Sequence, residues 1–447
     1  MAERKVLLAE VIERLGQRQL VWIGTRGEDA LSISDVPQLS ASFTLTSALD
    51  RLASVAGQSL EQLTGERVDL DTFDIDEQLR TDAVREFREQ ILRTLSSDSA
   101  IFEYRPSAFS SAIAFARQDR CLHLGLFSGH QFAFEHKPWL ETSIAGLGIP
   151  HIPWTYVADL DQLDTVELLA RGPVMLRRSR TTGGVGLVRL DDADRLTEMW
   201  PDEPEAFVSV APFIDGGIPL NVSGVVWKDG VTVHPASVQL IGIEGCTLRP
   251  FGYCGNDFGA ARSLGSAVLD QVEVATRAIG TWMGGYGYLG AFGVDFLVKD
   301  GVALFTEVNP RFQGSTHATC RLAIEADRSC LMLEHLAAFL GIASSVSTPL
   351  RTQMDELPDL AHIVIHNVGP PGRIDTGPLL DHAHRATQVS QADVLTYPQL
   401  LTARGATIAR LTIRDRLTDS GFDLRPFWRS LVDSMPYAAA APGPEPS

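Results

Sequence analysis

An α/β fold is predicted by three features of the chain: a strand, helix, strand rhythm over roughly the first 150 residues, a glycine-rich hairpin at 173–190, and an Asp-Gly hairpin at 292–311. Residues 20–24, 100–104 and 121–127 are short apolar runs, the last two separated by a helical stretch at 108–117. That alternation implies an open sheet of parallel strands joined by right-handed crossovers. Residues 71–95 read as one charged amphipathic helix, and Lys137 opens another that runs to Leu147. A small glycine-bearing unit follows at 151–212, then a core unit at 213–343 in which Trp227 to Val231 carries a second Asp-Gly turn. Beyond Ser344 a Ser/Thr/Pro linker leads to a smaller C-terminal unit, 344–436, with strands at 362–367 and 406–413. Residues 437–447, rich in Ala and Pro, are expected to be a disordered tail.

The densest chemistry lies in the last hairpin. From Phe292 the chain reads Phe-Gly-Val-Asp-Phe-Leu-Val, turns at Lys299-Asp300-Gly301, and returns as Val-Ala-Leu-Phe-Thr-Glu-Val-Asn-Pro-Arg. Strand side chains alternate between faces, so Glu307, Asn309 and Arg311 share one face, and the hairpin brings Asp295 back towards Glu307. Two carboxylates and an amide make an all-oxygen set of the kind magnesium takes together with nucleotide phosphates. Arg311 would sit beside them as an anion clamp. Taken alone, the same string also fits an ordinary hairpin with a solvated polar face.

The upstream hairpin reads Pro-Val-Met-Leu-Arg-Arg-Ser-Arg-Thr-Thr-Gly-Gly-Val-Gly-Leu-Val-Arg-Leu from Pro173. Gly183, Gly184 and Gly186 let backbone amides approach phosphate oxygens that a Cβ would hold away. Arg177 or Arg178 supplies fixed positive charge. Such a loop is expected to be mobile without nucleotide and to close over phosphates with it, although a plain connector would have the same composition.

These two elements, in this order, resemble the ATP-grasp superfamily, in which a flexible lid and a C-terminal core clasp ATP between two sheets. The resemblance implies an α/β, ATP-grasp arrangement: a Rossmann-like pre-ATP-grasp domain at 1–150, a lid at 151–212, a catalytic core at 213–343 and a small C-terminal domain. It implies ATP and Mg2+ as cofactors, with Asp295, Glu307 and Asn309 as metal ligands and Arg311 as the catalytic arginine that steadies the transferred phosphate. Arg177 takes the place of the family's phosphate-holding lysine, a departure, because guanidinium is a rigid fork where ammonium is a point charge. The segment from Val208 to Gly216 resembles the hinge that reads adenine, with the Pro212 carbonyl and the Ile214 amide in those roles. Ala211 stands where many relatives carry an acidic or Gln side chain. Lys137 stands where the family often has a further nucleotide-binding lysine; a surface lysine opening a helix is the equal alternative.

Gly314, Ser315 and Thr316 fall in the turn that relatives use to touch the acyl donor or leaving phosphate. Arg249, with Tyr253 and Asn256, falls where they place substrate contacts, either on a substrate carboxylate or in an ion pair. His317, next to that turn, is read as structural and not as a general base. The activity implied is ATP-dependent ligation of a carboxylate to an amine through an acyl phosphate, with release of ADP and phosphate. The whole-chain layout resembles peptide ligases of natural-product assembly of the pheganomycin type, which implies amide bond formation in antibiotic biosynthesis. An ATP-grasp carboxylase and a non-catalytic ATP-binding regulatory protein on the same fold are the alternatives.

Composition narrows the partners. The chain is 45% hydrophobic yet has no apolar run approaching the ~20 residues that span a bilayer, so no membrane partner is expected. Its first residues lack the apolar core of a secretory signal, and a cytoplasmic location is expected. Five cysteines form no C-x-x-C pair, which gives neither a zinc site nor a disulfide framework. A net charge of -18 argues against nucleic acid, whose phosphates call for a basic face. The expected partners are small-molecule carboxylate and amine or peptide substrates, and a second copy of the chain in a homodimer.

Overall fold

The computed structural model describes residues 3–433 except 48–54, 96–97, 118–120, 165–167, 180–182, 201–206, 345–347, 380, 383–391 and 397–399. The expected tail at 437–447, and Thr181 of the glycine loop, lie outside the described residues. Strands are numbered along the chain. The N-terminal sheet has the order β3-β2-β1-β5-β6, all parallel: β1 is Gln19–Arg26, β2 Leu39–Thr46, β3 Ala56–Ser59, β5 Ser99–Glu103 and β6 Cys121–His123. β1 lies in its middle, and four of its residues are buried, as a strand covered on both faces must be. The chain runs outward from β1 in one direction to β2 and β3, and in the other to β5 and β6. The order therefore reverses between β1 and β5, and the ends of these two strands face the rest of the molecule.

Two expectations here are corrected. The helix expected at 71–95 is confined to Asp82–Thr94, which buries Val84, Phe87 and Ile91 along one stripe. Ahead of it, Asp69 Oδ1 accepts from the Asp71 amide at 3.0 Å and Asp74 Oδ1 from the Asp76 amide at 2.9 Å. Aspartate side chains that bond the local backbone favour turns over helix, and the helix starts only where Thr81 caps it. The strand expected at 121–127 stops at His123, and a helix, Ser128–Phe134, has begun by Ser128.

The segment expected as the lid, 151–212, contains a four-stranded antiparallel sheet of order β7-β10-β8-β9, formed by β7 (Thr155–Val157), β8 (Val174–Arg178), β9 (Leu187–Leu190) and β10 (Val208–Pro212). Val174, Leu176, Leu190, Val208 and Val210 close its own small core.

The largest sheet has nine strands in the order β16-β15-β11-β13-β14-β17-β21-β19, with β12 beside β11. They are β11 (Ile218–Val226), β12 (Val231–Val233), β13 (Ser237–Ile241), β14 (Tyr253–Asp257), β15 (Gly290–Lys299), β16 (Val302–Asn309), β17 (Ala361–His366), β19 (Ala392–Thr396) and β21 (Thr407–Ile413). The Asp-Gly turn between β15 and β16 has φ of 50° at Asp300 and 78° at Gly301, the left-handed pair that a two-residue hairpin requires. The long helix Ser266–Gly285 lays Val268, Leu269, Val272, Ile279 and Met283 on the apolar face of this sheet.

Residues beyond 344, expected as a smaller unit, add strands to this same sheet: Ala361 of β17 pairs with Asp257 of β14, and Ile413 of β21 with Ala361. Cys254, Leu240, Ile363 and Leu411 share one apolar cluster across that boundary. A three-stranded sheet of β4 (Glu66–Arg67), β18 (Gly372–Arg373) and β20 (Leu401–Thr402) ties the C-terminal residues to the N-terminal region. All five cysteines are free thiols. Among the described residues no helix is long and apolar enough to cross a membrane.

Truncation after Ile342 should therefore abolish cooperative folding, because it strips β14 of its neighbour and opens the shared cluster. Calorimetry of residues 1–342 checks this. A fragment melting within a few degrees of the full chain would show that the C-terminal residues are a separate unit.

Candidate functional site

Asp295 on β15 stands directly opposite Glu307 on β16 and directly opposite Asn221 on β11. Opposed residues of antiparallel strands share a face, so three polar side chains form one row. Two like charges face to face oppose sheet pairing. The surroundings offset this: Lys137 Nζ lies 2.5 Å from Glu307 Oε1, and Arg177 Nη1 lies 3.7 Å from Oε2. Burial pushes the Glu307 carboxyl up, but Lys137, then Arg177, outweigh burial and hold it below the ordinary range. Asp295 goes the other way. Burial and then the Glu307 charge push it up to about 6, against the donated hydrogen bonds of Asn221 Nδ2 at 2.6 Å and Asn309 Nδ2 at 3.0 Å. Arg311 Nη2 donates to Asn309 Oδ1 at 3.2 Å and Nη1 to the Phe312 carbonyl at 3.1 Å, from a turn just beyond β16.

Each expected site residue can now be placed. Asp295, Glu307, Asn309, Arg311, Lys137 and Arg177 converge on one end of the β15/β16 hairpin. Ser315 joins them, donating from Oγ to Asn221 Oδ1 at 3.1 Å. Thr316 Oγ1 instead accepts from the Gln313 amide at 2.9 Å, shaping the turn, and Gly314 lies against the Tyr253 ring, which a Cβ there would strike. Pro212 ends β10 opposite Val174, and the Phe213 amide donates to the Pro173 carbonyl at 2.8 Å, so Pro212 and Ile214 sit where the lid passes into the core.

Arg177 is buried and heavily engaged. Its Nη2 donates to Glu141 Oε1 at 2.7 Å and Oε2 at 2.5 Å, Nε to Ser209 Oγ at 3.2 Å, and Nη1 to the Thr306 carbonyl at 3.3 Å. The Trp154 ring covers the guanidinium, 4.2 Å from ring centre to Cζ, and the Tyr156 hydroxyl also donates to Glu141. A rigid fork held at this many points is a fixed charge beside Glu307, unlike a lysine that could swing onto a phosphate.

Gly183 and Gly184, among the described residues of the glycine loop, lie close against neighbouring segments. Gly183, Gly184 and Gly186 have φ of 58°, 79° and 72°, a region that suits glycine. A Cβ on Gly183 would run into the Asp71 carboxylate, and one on Gly184 into the Phe251 carbonyl. Asp71 Oδ2 in turn accepts from Arg249 Nη1 at 2.8 Å, and Asp69 accepts from Arg249 Nη2. Arg249, a candidate for a substrate carboxylate, thus has a carboxylate on each terminal nitrogen and anchors the floor under the lid tip.

The sequence reading missed Glu141, Asn221 and Gln239, the last donating to Asp295 Oδ1 at 3.4 Å. Glu141 did carry a signal, since it lies four residues after Lys137 on the same helix, Lys137–Ala145. Asn221 is a lone amide inside an apolar strand, which marks a special position without saying what it meets.

Comparison with known proteins agrees with this architecture. The ATP-grasp domain model matches residues 160–315. The carbamoyl phosphate synthase large chain of Pseudarthrobacter chlorophenolicus is 26% identical over 200 residues, which cover 42% of this chain and 16% of that one. Similar solved structures include N5-carboxyaminoimidazole synthase from Aspergillus clavatus in complex with ADP and 5-aminoimidazole ribonucleotide, at TM-score 0.62 and 14% identity over 94% of this chain and 99% of that one. Biotin carboxylase from Campylobacter jejuni aligns at TM-score 0.58 and 14% identity over 90% of this chain and 89% of that one. The chain has the ATP-grasp fold.

Replacing Glu141 by Gln leaves the Arg177 guanidinium buried beside a neutral amide and should destabilise the protein by about 3–5 kcal/mol. Denaturant unfolding of Glu141→Gln beside the double variant Glu141→Gln/Arg177→Met measures it, the second change recovering part of the loss. A single variant as stable as wild type would remove Arg177 and Glu141 from the role of structural charge pair.

Proposed function

We propose that this chain is an ATP-dependent carboxylate-amine ligase that forms an acyl phosphate and releases ADP and phosphate. The observation that carries this reading is the donor set Asp295, Glu307 and Asn309 at one hairpin end, faced by Lys137, Arg177 and Arg311. Two carboxylates and an amide oxygen are the hard-oxygen ligands magnesium takes when phosphates complete its shell.

Asp295, Glu307 and Asn309 would hold Mg2+, which neutralises charge on the phosphates during transfer. Lys137 supplies an ammonium for the phosphates from the same carboxylate. Arg311 faces the acid being activated and stabilises developing oxyanion charge. Gly183, Gly184 and Gly186 lay backbone amides near phosphate and close the site to water that would hydrolyse the acyl phosphate. The Pro212 carbonyl and the Ile214 amide, at the junction of lid and core, present one acceptor and one donor to adenine. Ser315, through Asn221, fixes the turn that receives the acid. An amine then displaces phosphate, with no covalent enzyme intermediate. The peptide-ligase role within this class rests on the resemblance of layout noted in the sequence alone, and no residue of the site distinguishes it from the carboxylase alternative.

Spent reactions with hydroxylamine as acceptor should contain a hydroxamate together with ADP and phosphate in equal amounts. AMP as the stoichiometric product would mean adenylation and overturn the reading, and a bicarbonate-dependent ATPase with no hydroxamate from any acid would favour a carboxylase.

Glu307→Gln removes a ligand charge and should lower ATP-dependent turnover about 100-fold or more while the fold persists. Wild-type turnover in a variant of wild-type melting temperature would sink the metal assignment.

A further inference from the structure

The turn that follows β16 is clamped. The Gln131 side chain donates to the Pro310 carbonyl, the Phe312 amide donates at 3.3 Å to the carbonyl of Tyr104, just past β5, and Ser315 reaches Asn221. Gly314 lies between these points. A Cβ on Gly314 would have Cε1, Cζ and Oη of Tyr253 as its three nearest atoms, at 2.6 to 2.8 Å. Gly314 is not among the glycines of positive φ, so the Tyr253 side chain and not a backbone angle demands a glycine there.

Tyr253 opens β14, and an irregularity in that strand aims it. Strand alternation would put Tyr253 and Asn256, three residues apart, on opposite faces. The register against β13 shifts, with Leu240 opposite Gly255 and Ile241 opposite Tyr253, so β14 carries one extra residue. Such a bulge re-aims side chains and is found beside active sites. Gly255 makes it possible, with φ of 128° and the His362 carbonyl where a Cβ would stand. The Tyr253 hydroxyl consequently donates to Asn256 Oδ1 and lies 3.0 Å from His362 Nε2.

These anchors belong to the floor of the site. Asn221 is opposite Asp295 and Ser237, Gln239 two residues beyond Ser237 is opposite Asn256, and Asn256 is opposite His362 on β17. Direct pairing and two-residue steps both preserve the face, so the Asp295 row and both anchors of Tyr253 lie on one side of the sheet. Arg410 of β21, opposite Val364, ends the row in an ion pair with Glu28. Asn256 is fully buried, and its Nδ2 donates to Ser237 Oγ at 2.8 Å. A phenol has one proton. With that proton on Asn256, the His362 ring donates from Nε2 to the phenolic oxygen, and Nδ1, which has no hydrogen-bond partner among the described residues, is the bare nitrogen. Burial, then the Arg410 charge, holds this imidazole well below the ordinary range and keeps it neutral.

We infer that Tyr253 is the positioning residue of the turn assigned to the acid: its ring is the wall against which Gly314 is set, its hydroxyl is pinned by Asn256 and His362, and through it β17 fixes where Arg311 and Ser315 stand. With its proton on Asn256 and its oxygen accepting from His362, the hydroxyl is occupied by the fold, which makes Tyr253 a support and not a reacting group. The role given to the turn rests on the ligase reading; the clamp itself rests on the contacts of Tyr253, Gly314 and His362.

Hydrogen exchange of the full chain without nucleotide tests the clamp. Tyr253→Phe keeps the ring but strands Asn256 Oδ1 and His362 Nε2, so the amides of residues 312–316 should exchange about tenfold faster while those of β15 and β16 keep their rates. Ile363→Ala is the control. It trims a buried side chain on the opposite face of β17 and should lower the melting temperature while leaving the turn unchanged. In turnover trapped with hydroxylamine, with whichever acid yields hydroxamate, Tyr253→Phe should lower kcat about tenfold or more with KM for ATP unchanged, since a displaced turn moves Arg311 and not the nucleotide's own contacts. His362→Leu should act alike, and the double variant should be no slower than the slower single variant, because both changes remove one support. Should His362→Leu not fold, His362→Gln takes its place. Unchanged turn exchange in Tyr253→Phe, a turn loosened equally by Ile363→Ala, or losses that multiply in the double variant would each overturn the proposal. Wild type that forms hydroxamate from no acid would overturn the ligase reading alone, and the exchange rates would still decide the clamp.

Discussion

Placing Asp295 and Glu307 directly across from one another on β15 and β16 sets the terms for everything around them. Side by side in a buried sheet, two carboxylates repel and lose hydration at once, and neither would persist without compensation. The molecule divides the two. Glu307 is given Lys137 and Arg177 and stays ionised easily; Asp295 is given neutral amides and a smaller share of the Lys137 charge, and ionises reluctantly. Arg177 in turn needs Glu141, and Glu141 draws in Tyr156. A single strand pairing thus fixes the identity of residues on the lid, on the helix Lys137–Ala145 and on three core strands.

The sheet register carries that constraint further than any local contact. Because pairing partners share a face, one row of side chains crosses from the hairpin edge through Asn221, Asn256 and His362 to Arg410, and the C-terminal strands supply its far half. This gives a reason for β17 and β21 to belong to the core sheet and not to a body of their own. On the proposed reading, a site that holds a nucleotide at one end and a second substrate beside it needs a rigid floor under both. The parallel N-terminal sheet then closes over that floor with the residues at the ends of β1 and β5.

How much of this could be read from the residues follows the range of the interactions. The β15/β16 hairpin was legible because its signal is local: two apolar runs, an Asp-Gly turn and alternating polar side chains within 20 residues. The lid strands and glycine loop were legible for the same reason. The helix boundary near Asp82 was not, because helical periodicity in 71–81 competes with aspartates that bond their own turns. Asn221 and Arg410 were beyond reach, since their meaning lies in partners distant along the chain, and Glu141 showed only its four-residue spacing from Lys137. Arg249 shows the limit sharply: an arginine in a substrate-like segment reads as a carboxylate binder, and it is one, but the carboxylates are Asp69 and Asp71 of the same chain.

The charge balance of the site says what it is prepared for. Lys137, Arg177 and Arg311 stand against Glu141, Asp295 and Glu307, three cations to three anions, so the ensemble is neutral as it stands. Arg177 and Glu141 cancel within one buried, doubly bonded pair and are fixed. The adaptable part is Lys137 with Glu307. An ammonium on a flexible stem and a divalent cation compete for the same carboxylate, so Glu307 cannot serve both fully, and a metal bound there would turn Lys137 towards the phosphates accompanying it. An arginine in place of Lys137 would resist that exchange, and a lysine in place of Arg177 would hold Glu141 with one point charge instead of two parallel bonds. The two positions therefore need different cations, the rigid one where charge must stay and the flexible one where it must move.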